Sequence, residues 1–270
     1  MIYSKIITHN GSFHADETLA IATLFKALGY TLPIERKENA TQEELDEPTI
    51  LVLDIGRNYT PALGNFDHHQ DSNSPATNIL ILDYFFTDEF IKDKLKQHLF
   101  QFVSDTDCGI FNKDVTGVPS FSLIIDKLNS LSRKNPDDLD ENFHKALSVA
   151  QLILDGYFDT FEQSKKNKVS WDSLPKIANG FLSIDEHNDF ILEPSDFQEF
   201  ATADLVLLHL SPNPRGGWQI MSRSTNVLKI PAKSTQKFLH NAGFIAVYNT
   251  FNEAYEHAYE ILENHFQKMR

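Results

Sequence analysis

The chain has 270 residues, 41% of them hydrophobic and 21 of them Phe, enough for one large core or two modest ones and too apolar for a disordered segment. The formal net charge of −14 argues against a protein that grips long nucleic acid through a broad positive surface, and the single Cys, Cys108, excludes an internal disulfide and a thiolate zinc cage. No apolar run approaches the ~20 residues of a membrane span. The N-terminal stretch reads as neither a secretory signal nor an Arg-rich transit peptide, so a cytoplasmic location without a membrane partner is expected.

Taken in order, Ser4–Thr8 reads as a strand and Asp16–Leu28 as an amphipathic helix. A short strand over Leu32–Arg36 and an acidic loop or short helix over Glu43–Glu47 follow. The unbroken apolar run Thr49–Asp54 has the texture of a fully buried parallel strand. Pro61 and Gly64 punctuate the turn into Asn65-Phe66-Asp67-His68-His69, and helical patterns cover about 75–86, 88–104 and 119–131. Such alternation predicts an α/β fold, a mostly parallel sheet with helices on both faces. Asn135–Asp138 is a turn and cap that opens a long helix over 138–168, with Lys165, Lys166 and Lys168 suited to its C-terminal end.

That helix is read as a connector between a domain over 1–137 and a smaller α/β domain over 169–270. The second domain has strand patterns at Ile177–Ile184, Asp204–Leu210, Gln219–Ser224 and Gly243–Tyr248, and helices near 232–240 and 251–268. Between Asp204 and Glu253 no acid occurs, while Arg215, Arg223, Lys229, Lys233 and Lys237 do. A basic sheet edge would explain this; so would a surface set apart for an anionic ligand.

The chemistry concentrates in four pieces: Thr8-His9-Asn10-Gly11-Ser12-Phe13-His14-Ala15-Asp16-Glu17, Asp54-Ile55-Gly56, Asp67-His68-His69, and Ser104-Asp105-Thr106-Asp107-Cys108-Gly109. In an open α/β sheet, ligands bind beyond the carboxyl ends of the strands, where His9 and Asp54 fall. A carboxylate buried at a strand end is normally paired or metal-bound. His9, His14 and His68 with Asp16, Asp54 and Asp107 are enough to hold two metals if one carboxylate bridges, and Asp54, on the most central strand, is the candidate bridge. Singly each residue has a blander reading: a loop His, a helix-capping Asp16, turn residues at Asp105 and Asp107, a first-turn Glu17 solvated at the helix dipole. Together, in this order within the first 107 positions, they point to a metal site.

The order of pieces resembles the DHH phosphoesterase superfamily, which includes RecJ-type exonucleases, oligonucleotide phosphodiesterases and a class of inorganic pyrophosphatases. Within it, His9-Asn10-Gly11, Phe13-His14-Ala15-Asp16-Glu17, Asp54-Ile55-Gly56 and Phe66-Asp67-His68-His69 resemble the melanocyte-proliferating-gene (Myg-type) family of metal-dependent hydrolases and exonucleases. The likeness continues at Asp107-Cys108-Gly109-Ile110 and at Phe238-Leu239-His240-Asn241-Ala242-Gly243-Phe244. It implies metal ligation by His9, His14, Asp16, Asp54, His68 and Asp107, a substrate-facing His69, and a substrate contact from His240. Where the wider superfamily has a third carboxylate this chain has His14, and a more nitrogen-rich site shifts preference towards Mn²⁺, with Mg²⁺ and Zn²⁺ as alternatives.

Two divalent ions would activate water and offset charge on the phosphate. Asp67 is expected to orient an imidazole of the pair, and His69 to donate a hydrogen bond or proton to substrate. The basic segment, with Arg215, Arg223 and Lys233, is expected over the phosphate. The expected activity is a metal-dependent phosphodiesterase or exonuclease on nucleic acid ends or short oligonucleotides. The alternatives are a hydrolase of nucleotides or pyrophosphate, and a metal-stabilised binding protein without turnover. Oligomeric state is open.

Overall fold

The computed structural model describes residues 2–111, 120–133, 135–187 and 194–268, and the chain divides into two compact units, Met1–Phe161 and Glu162–Arg270. In the first, strands β1 (Lys5–His9), β2 (Ile34–Lys37), β3 (Ile50–Leu53), β4 (Tyr59–Thr60) and β5 (Asn65–Phe66) form one sheet in the order β2-β1-β3-β5-β4. All neighbours are parallel except β4, which runs antiparallel along β5 at the edge. The helices of this unit are α1 (Ala15–Leu28), α2 (Gln42–Leu45), α3 (Thr77–Phe85), α4 (Glu89–Leu95), α5 (Gln101–Asp107), α6 (Phe121–Ser130) and the start of α7 (Leu139–Ser173).

The period of two along the strands decides which side chains meet which helices. Ile6, Leu51, Leu53 and Phe66 point into the main core, among Leu19 and Leu24 of α1, Ile81 of α3 and Val103 of α5. Ile7, Ile50 and Val52 point the other way, onto Leu45 of α2 and Ile55. The pairing Ile6↔Leu51 and Ile7↔Val52 keeps both sets in register, and a one-residue slip would exchange them. The sheet is therefore covered on both faces, as the apolar run of β3 requires, though the second cover is only the short α2.

Local chemistry sets the helix ends. The Glu17 carboxylate accepts the His14 backbone N–H at 2.7 and 2.8 Å, opening α1, and Gly29 closes it at φ 75°. The helix expected over 88–104 starts where Asp88 accepts the Ile91 N–H at 3.2 Å, but it is not uniform. A π-helical turn, Lys96–Phe100, separates α4 from α5 and carries the helix on to Asp107. The buried Asn78 side chain donates to the Phe100 carbonyl at 2.9 Å in that turn. Helix α6 begins at Phe121, capped by Ser120; Pro119, included in the expected helix, lies outside the described residues. Helix α7 runs past Lys168 because the fully buried Trp171 extends its apolar stripe, and it stops before Pro175. The division between units falls within this helix, after Phe161.

The second unit adds β6 (Lys176–Ile177), β7 (Leu182–Ile184), β8 (Leu208–Pro212), β9 (Trp218–Ser222), β10 (Gln236–Leu239) and β11 (Ile245–Tyr248), with α8 (Pro194–Ala203) and α9 (Phe251–Gln267). Its sheet runs β10-β11-β9-β8-β7-β6, and only β7 and β8 are parallel. Leu210, Ile220, Ala246 and Tyr248 face Ala254, Ala258, Ile261 and Leu262 of α9, while Met221 on the opposite face meets Trp171, Phe197 and Phe200.

Two local expectations are corrected. The helix near 232–240 is instead edge strand β10, because pairing Gln236↔Tyr248 and Leu239↔Ala246 outweighs a weak local preference. The single strand over Ile177–Ile184 is broken by left-handed backbone at Ala178, Asn179 and Gly180 (φ 51°, 57° and 89°), which folds β6 back on β7. Among the described residues no helix is long and apolar enough to cross a membrane.

Candidate metal centre

Because β1 and β3 are adjacent and parallel, their carboxyl ends lie side by side, and the chemistry collects there. His9 is the last residue of β1, Asp54 directly follows β3, and Asp67 directly follows β5. His14 and Asp16 stand at the start of α1, and Asp107 at the end of α5. Asp54 holds a left-handed backbone, φ 57°, which costs a residue other than Gly about 1–3 kcal/mol and is held here by its N–H bond to the Phe66 carbonyl at 3.1 Å. The turn aims its carboxylate between two imidazoles. Asp54 Oδ2 lies 3.4 Å from His9 Nε2, and Oδ1 lies 3.3 Å from His68 Nε2.

The remaining distances close the cluster. His9 Nε2 is 3.2 Å from Glu17 Oε1, His68 Nε2 is 3.2 Å from Asp107 Oδ2, and His14 Nδ1 is 3.9 Å from Asp107 Oδ1. Their potential ligand atoms form three overlapping groups, each with its atoms within 4.8 Å of one another: His9, His14, Glu17 and Asp54; Asp54, His68 and His69; and His14, Asp16 and Asp107. Asp54 belongs to two groups and His14 to two, so a pair of cations could share either side chain.

Hydrogen bonding fixes the relevant tautomers. A carbonyl can only accept, so His9 Nδ1–H donates to the Asn10 carbonyl at 2.9 Å and Nε2 is turned towards the carboxylates. Asp67, buried, accepts the Arg57 N–H on Oδ2 at 2.6 Å, and on Oδ1 the His69 N–H at 3.0 Å and His69 Nδ1–H at 2.7 Å. This leaves His69 Nε2 on a ring whose side chain is 51% exposed.

Carboxylates outnumber fixed cations in this cluster. Burial alone would lower the pKa of His9, but Asp54 and Glu17 overturn that and raise it to about 11. His68 rises in the same way to about 10, through Asp107 and Asp54. Burial works against an ionised Asp54, yet His68 and His9 hold its pKa below the usual carboxylate range. Asp16 goes the other way: burial first, then Asp54, Asp107 and Glu17, push its pKa well up.

A divalent cation fits these donors. Both oxygens of Asp16 are buried without a hydrogen-bond partner, and a buried polar atom left so costs about 1–3 kcal/mol, while His9 Nε2 and His68 Nε2 face carboxylates at 3.2 to 3.4 Å. Nitrogen and carboxylate donors together suit Mn²⁺ or Zn²⁺ better than an all-oxygen cage would. All six expected ligands are thus brought together, with Asp67 and His69 beside them. Glu17, a weaker candidate in the sequence because a solvated first-turn residue explains it as well, is fully buried and faces His9. Its signal was the capping pattern, which hides a second use of the same carboxylate.

The other expected contacts belong to the second unit. His240 Nδ1 accepts the Ala242 N–H at 3.1 Å, Arg223 donates to the Ala201 carbonyl at 3.5 Å, and Lys233 is paired with Glu260. Arg215 lies exposed in the turn between β8 and β9.

Fold and site together define an α/β protein with a composite His and carboxylate centre at the strand ends of a mostly parallel sheet. Residues 5–79 match the family model MYG1_exonuc, described as "Uncharacterised protein family (UPF0160)". The chain is 34% identical over 155 residues to the MYG1 protein of Chlamydia trachomatis serovar D, covering 54% of this chain and 51% of that one. It is 41% identical over 68 residues to the MYG1 exonuclease of Homo sapiens, covering 25% of this chain and 18% of that one. A similar stretch of 66 residues matches the Mus musculus MYG1 exonuclease at 41% identity. The chain thus spans about half of the chlamydial relative, by the 51% just given, and less of the mammalian ones. Its N-terminal segment, which carries His9 to Asp67 and the pair after it, is similar to the Myg-type family.

Proposed function

We propose that the chain is a metal-dependent phosphodiesterase or exonuclease of the DHH type, acting on nucleic acid ends or short oligonucleotides with two divalent ions, Mn²⁺ first. The observation that carries this reading is the buried cluster itself: both Asp16 oxygens lack a hydrogen-bond partner, and His9 Nε2 and His68 Nε2 face carboxylates at 3.2 to 3.4 Å. The relatives named MYG1 exonuclease add the reaction class.

His9, His14, Asp16, Asp54, His68 and Asp107 would hold the ions, with Asp54 placed to be shared between them and Glu17 steadying His9. Bound there, the ions supply positive charge against the phosphate oxygens and make the attacking water more acidic. Asp67 fixes the His69 ring through Nδ1–H, so Nε2 is the atom presented to substrate. His69 holds a proton at Nε2 and passes it to the leaving oxygen, or donates a hydrogen bond to a phosphate oxygen. Thr77 Oγ1, 3.1 Å from Asp54 Oδ1, limits rotation of the shared carboxylate.

The test compares Asp54→Asn with His69→Ala, reading metal content and turnover on oligonucleotides and pyrophosphate with Mn²⁺ in excess. Asp54→Asn is expected to lose metal and activity together. His69→Ala is expected to keep metal while turnover falls about 10²- to 10⁴-fold. Loss of metal from both variants alike would make His69 a ligand. A wild-type protein that holds metal and cuts no phosphate ester would overturn the enzyme reading.

A further inference from the structure

Among the described residues, the second unit leaves part of its sheet uncovered. On the face away from α9, the cluster around Trp171 and Phe200 reaches Met221 of β9 and the flank of Ile245, but it does not extend over β10. Phe238 on β10 stands 51% exposed, opposite Val247 in the ladder. A bulge between Gln236 and Phe238 sets two residues against one, so the alternation of β10 is interrupted and both Lys237 and Phe238 line the same hollow. Arg215 reaches this hollow from the turn joining β8 and β9. That turn is tightly seated: the Asn213 N–H donates to the Gly217 carbonyl at 2.9 Å, and a side chain at Gly217 (φ 87°) would put its Cβ 2.1 Å from the Tyr248 carbonyl oxygen.

The result is a hollow of about 390 Å³ with an apolar floor, Ile245, Val247 and Phe238, and two cations on its rim. Lys233 is neutralised by Glu260 and Lys176 by Asp204, whereas Arg215 and Lys237 have no ion-pair partner among the described residues. An exposed ring between unpaired cations, in a chain of net charge −14, matches a ligand that is flat, apolar-faced and anionic at once. Nucleotides have that chemistry: bases stack on aromatic rings and phosphates meet Arg and Lys. We infer that this hollow is a holding site for single-stranded oligonucleotide, with Phe238 as the stacking platform and Arg215 and Lys237 on adjacent phosphates. The substrate class rests on the nucleic-acid reading above, but the site needs no metal.

Fluorescence anisotropy of the full chain with a 5′-labelled ten-nucleotide single strand, in EDTA, measures holding without hydrolysis. Phe238→Ala is expected to weaken binding about tenfold and Phe238→Trp to retain it. Replacing Arg215 and Lys237 by Ala together is expected to flatten the log–log salt slope by about 1.4. Wild-type protein that does not bind in EDTA, or Phe238→Ala binding as tightly as wild type, overturns the site. Displacement of the strand by an acidic peptide at equal concentration would assign the hollow to a protein partner instead. A dimer in light scattering that Phe238→Ala dissociates would assign it to a second copy of the chain. Binding of this pattern by a protein that cuts nothing with Mn²⁺ would sink the hydrolase reading and leave this one standing. Turnover with Phe238→Ala binding unchanged would do the reverse.

Discussion

Asp16→Asn should strengthen the metal-free protein and weaken the metal-loaded one. Asp16 is fully buried, neither of its oxygens has a hydrogen-bond partner, and Asp54, Asp107 and Glu17 crowd it. An amide there spares the fold the cost of keeping that crowded carboxyl protonated, about 1–3 kcal/mol in EDTA. For a unit of this size that corresponds to a rise of about 3–10 °C in midpoint. Saturating Mn²⁺ at 1,000 times its dissociation constant stabilises wild type by about 4 kcal/mol, a gain the variant largely lacks, so the order of stabilities reverses. The sign with pH follows from the raised pKa of Asp16: its folded state keeps a proton that the unfolded chain gives up near pH ~4. Wild-type stability in EDTA therefore falls as pH rises, and the advantage of the variant is larger at pH 8 than at pH 5. Trp171 and Trp218 both lie in the second unit, so tryptophan fluorescence is the wrong probe. Hydrogen exchange of the α1 amides, with EDTA and with Mn²⁺, reads the first unit directly. A variant less protected than wild type in EDTA, or one with the full Mn²⁺ gain, would refute the reasoning.

Mn²⁺ binding at pH 8 should release at least two protons per chain, because His9 and His68, with pKa values of about 11 and 10, are cationic without a metal and must be neutral to ligate, and any proton on Asp16 adds to them. Calorimetry in buffers of different ionisation heat counts them, and no release would contradict the assignment. Arg36→Met should keep the stem between Phe13 and Phe143 but lose the bonds to the Gly11 carbonyl and Asp140, at 2.7 and 2.6 Å. Those bonds tie down the loop between His9 and His14, so Mn²⁺ affinity should drop about tenfold in a folded protein; an unchanged titration would mean that the loop is held otherwise. His209 is buried with its pKa lowered to about 3, so it is neutral in the fold, while the unfolded chain protonates below about pH 6.5. The second unit should lose about 1.4 kcal/mol of stability per pH unit as pH falls from 6.5 towards 3, followed through Trp171, whose ring lies 5.7 Å away. His209→Gln should remove that slope.

The residues most legible in sequence were those whose position a strand dictates. The apolar run of β3 ends at Asp54 and β1 ends in His9, and neighbouring parallel strands had to bring the two together. Glu17 was less legible because its capping bond to His14 explains it locally, and only burial exposes its second contact with His9. Lys233 read as a free cation, since its partner Glu260 is 27 positions away and proximity of that range has no sequence pattern. Strand β10 was misread because an edge strand paired on one side leaves little alternation to detect, and its bulge removes more.

The π-helical turn at Lys96–Phe100 makes chain length itself part of the centre. Residues before it, such as Ile91 and Leu95, and those after it, such as Val103 and Asp107, follow two different angular phases of one continuous rod. Inserting one further residue into this rod, without a second such turn to absorb it, would swing one half by about 100° relative to the other. Either the Ile91 and Leu95 stripe would leave the core or Asp107 would turn away from His68, 3.2 Å from it now. Neither end can absorb the rotation, since Asn78 pins the turn at Phe100 and Ser104 accepts the Ala76 N–H at 2.9 Å. Insertions and deletions are usually harmless in loops and ruinous in helices only through packing; in this helix one added residue would also dismantle the ligand set.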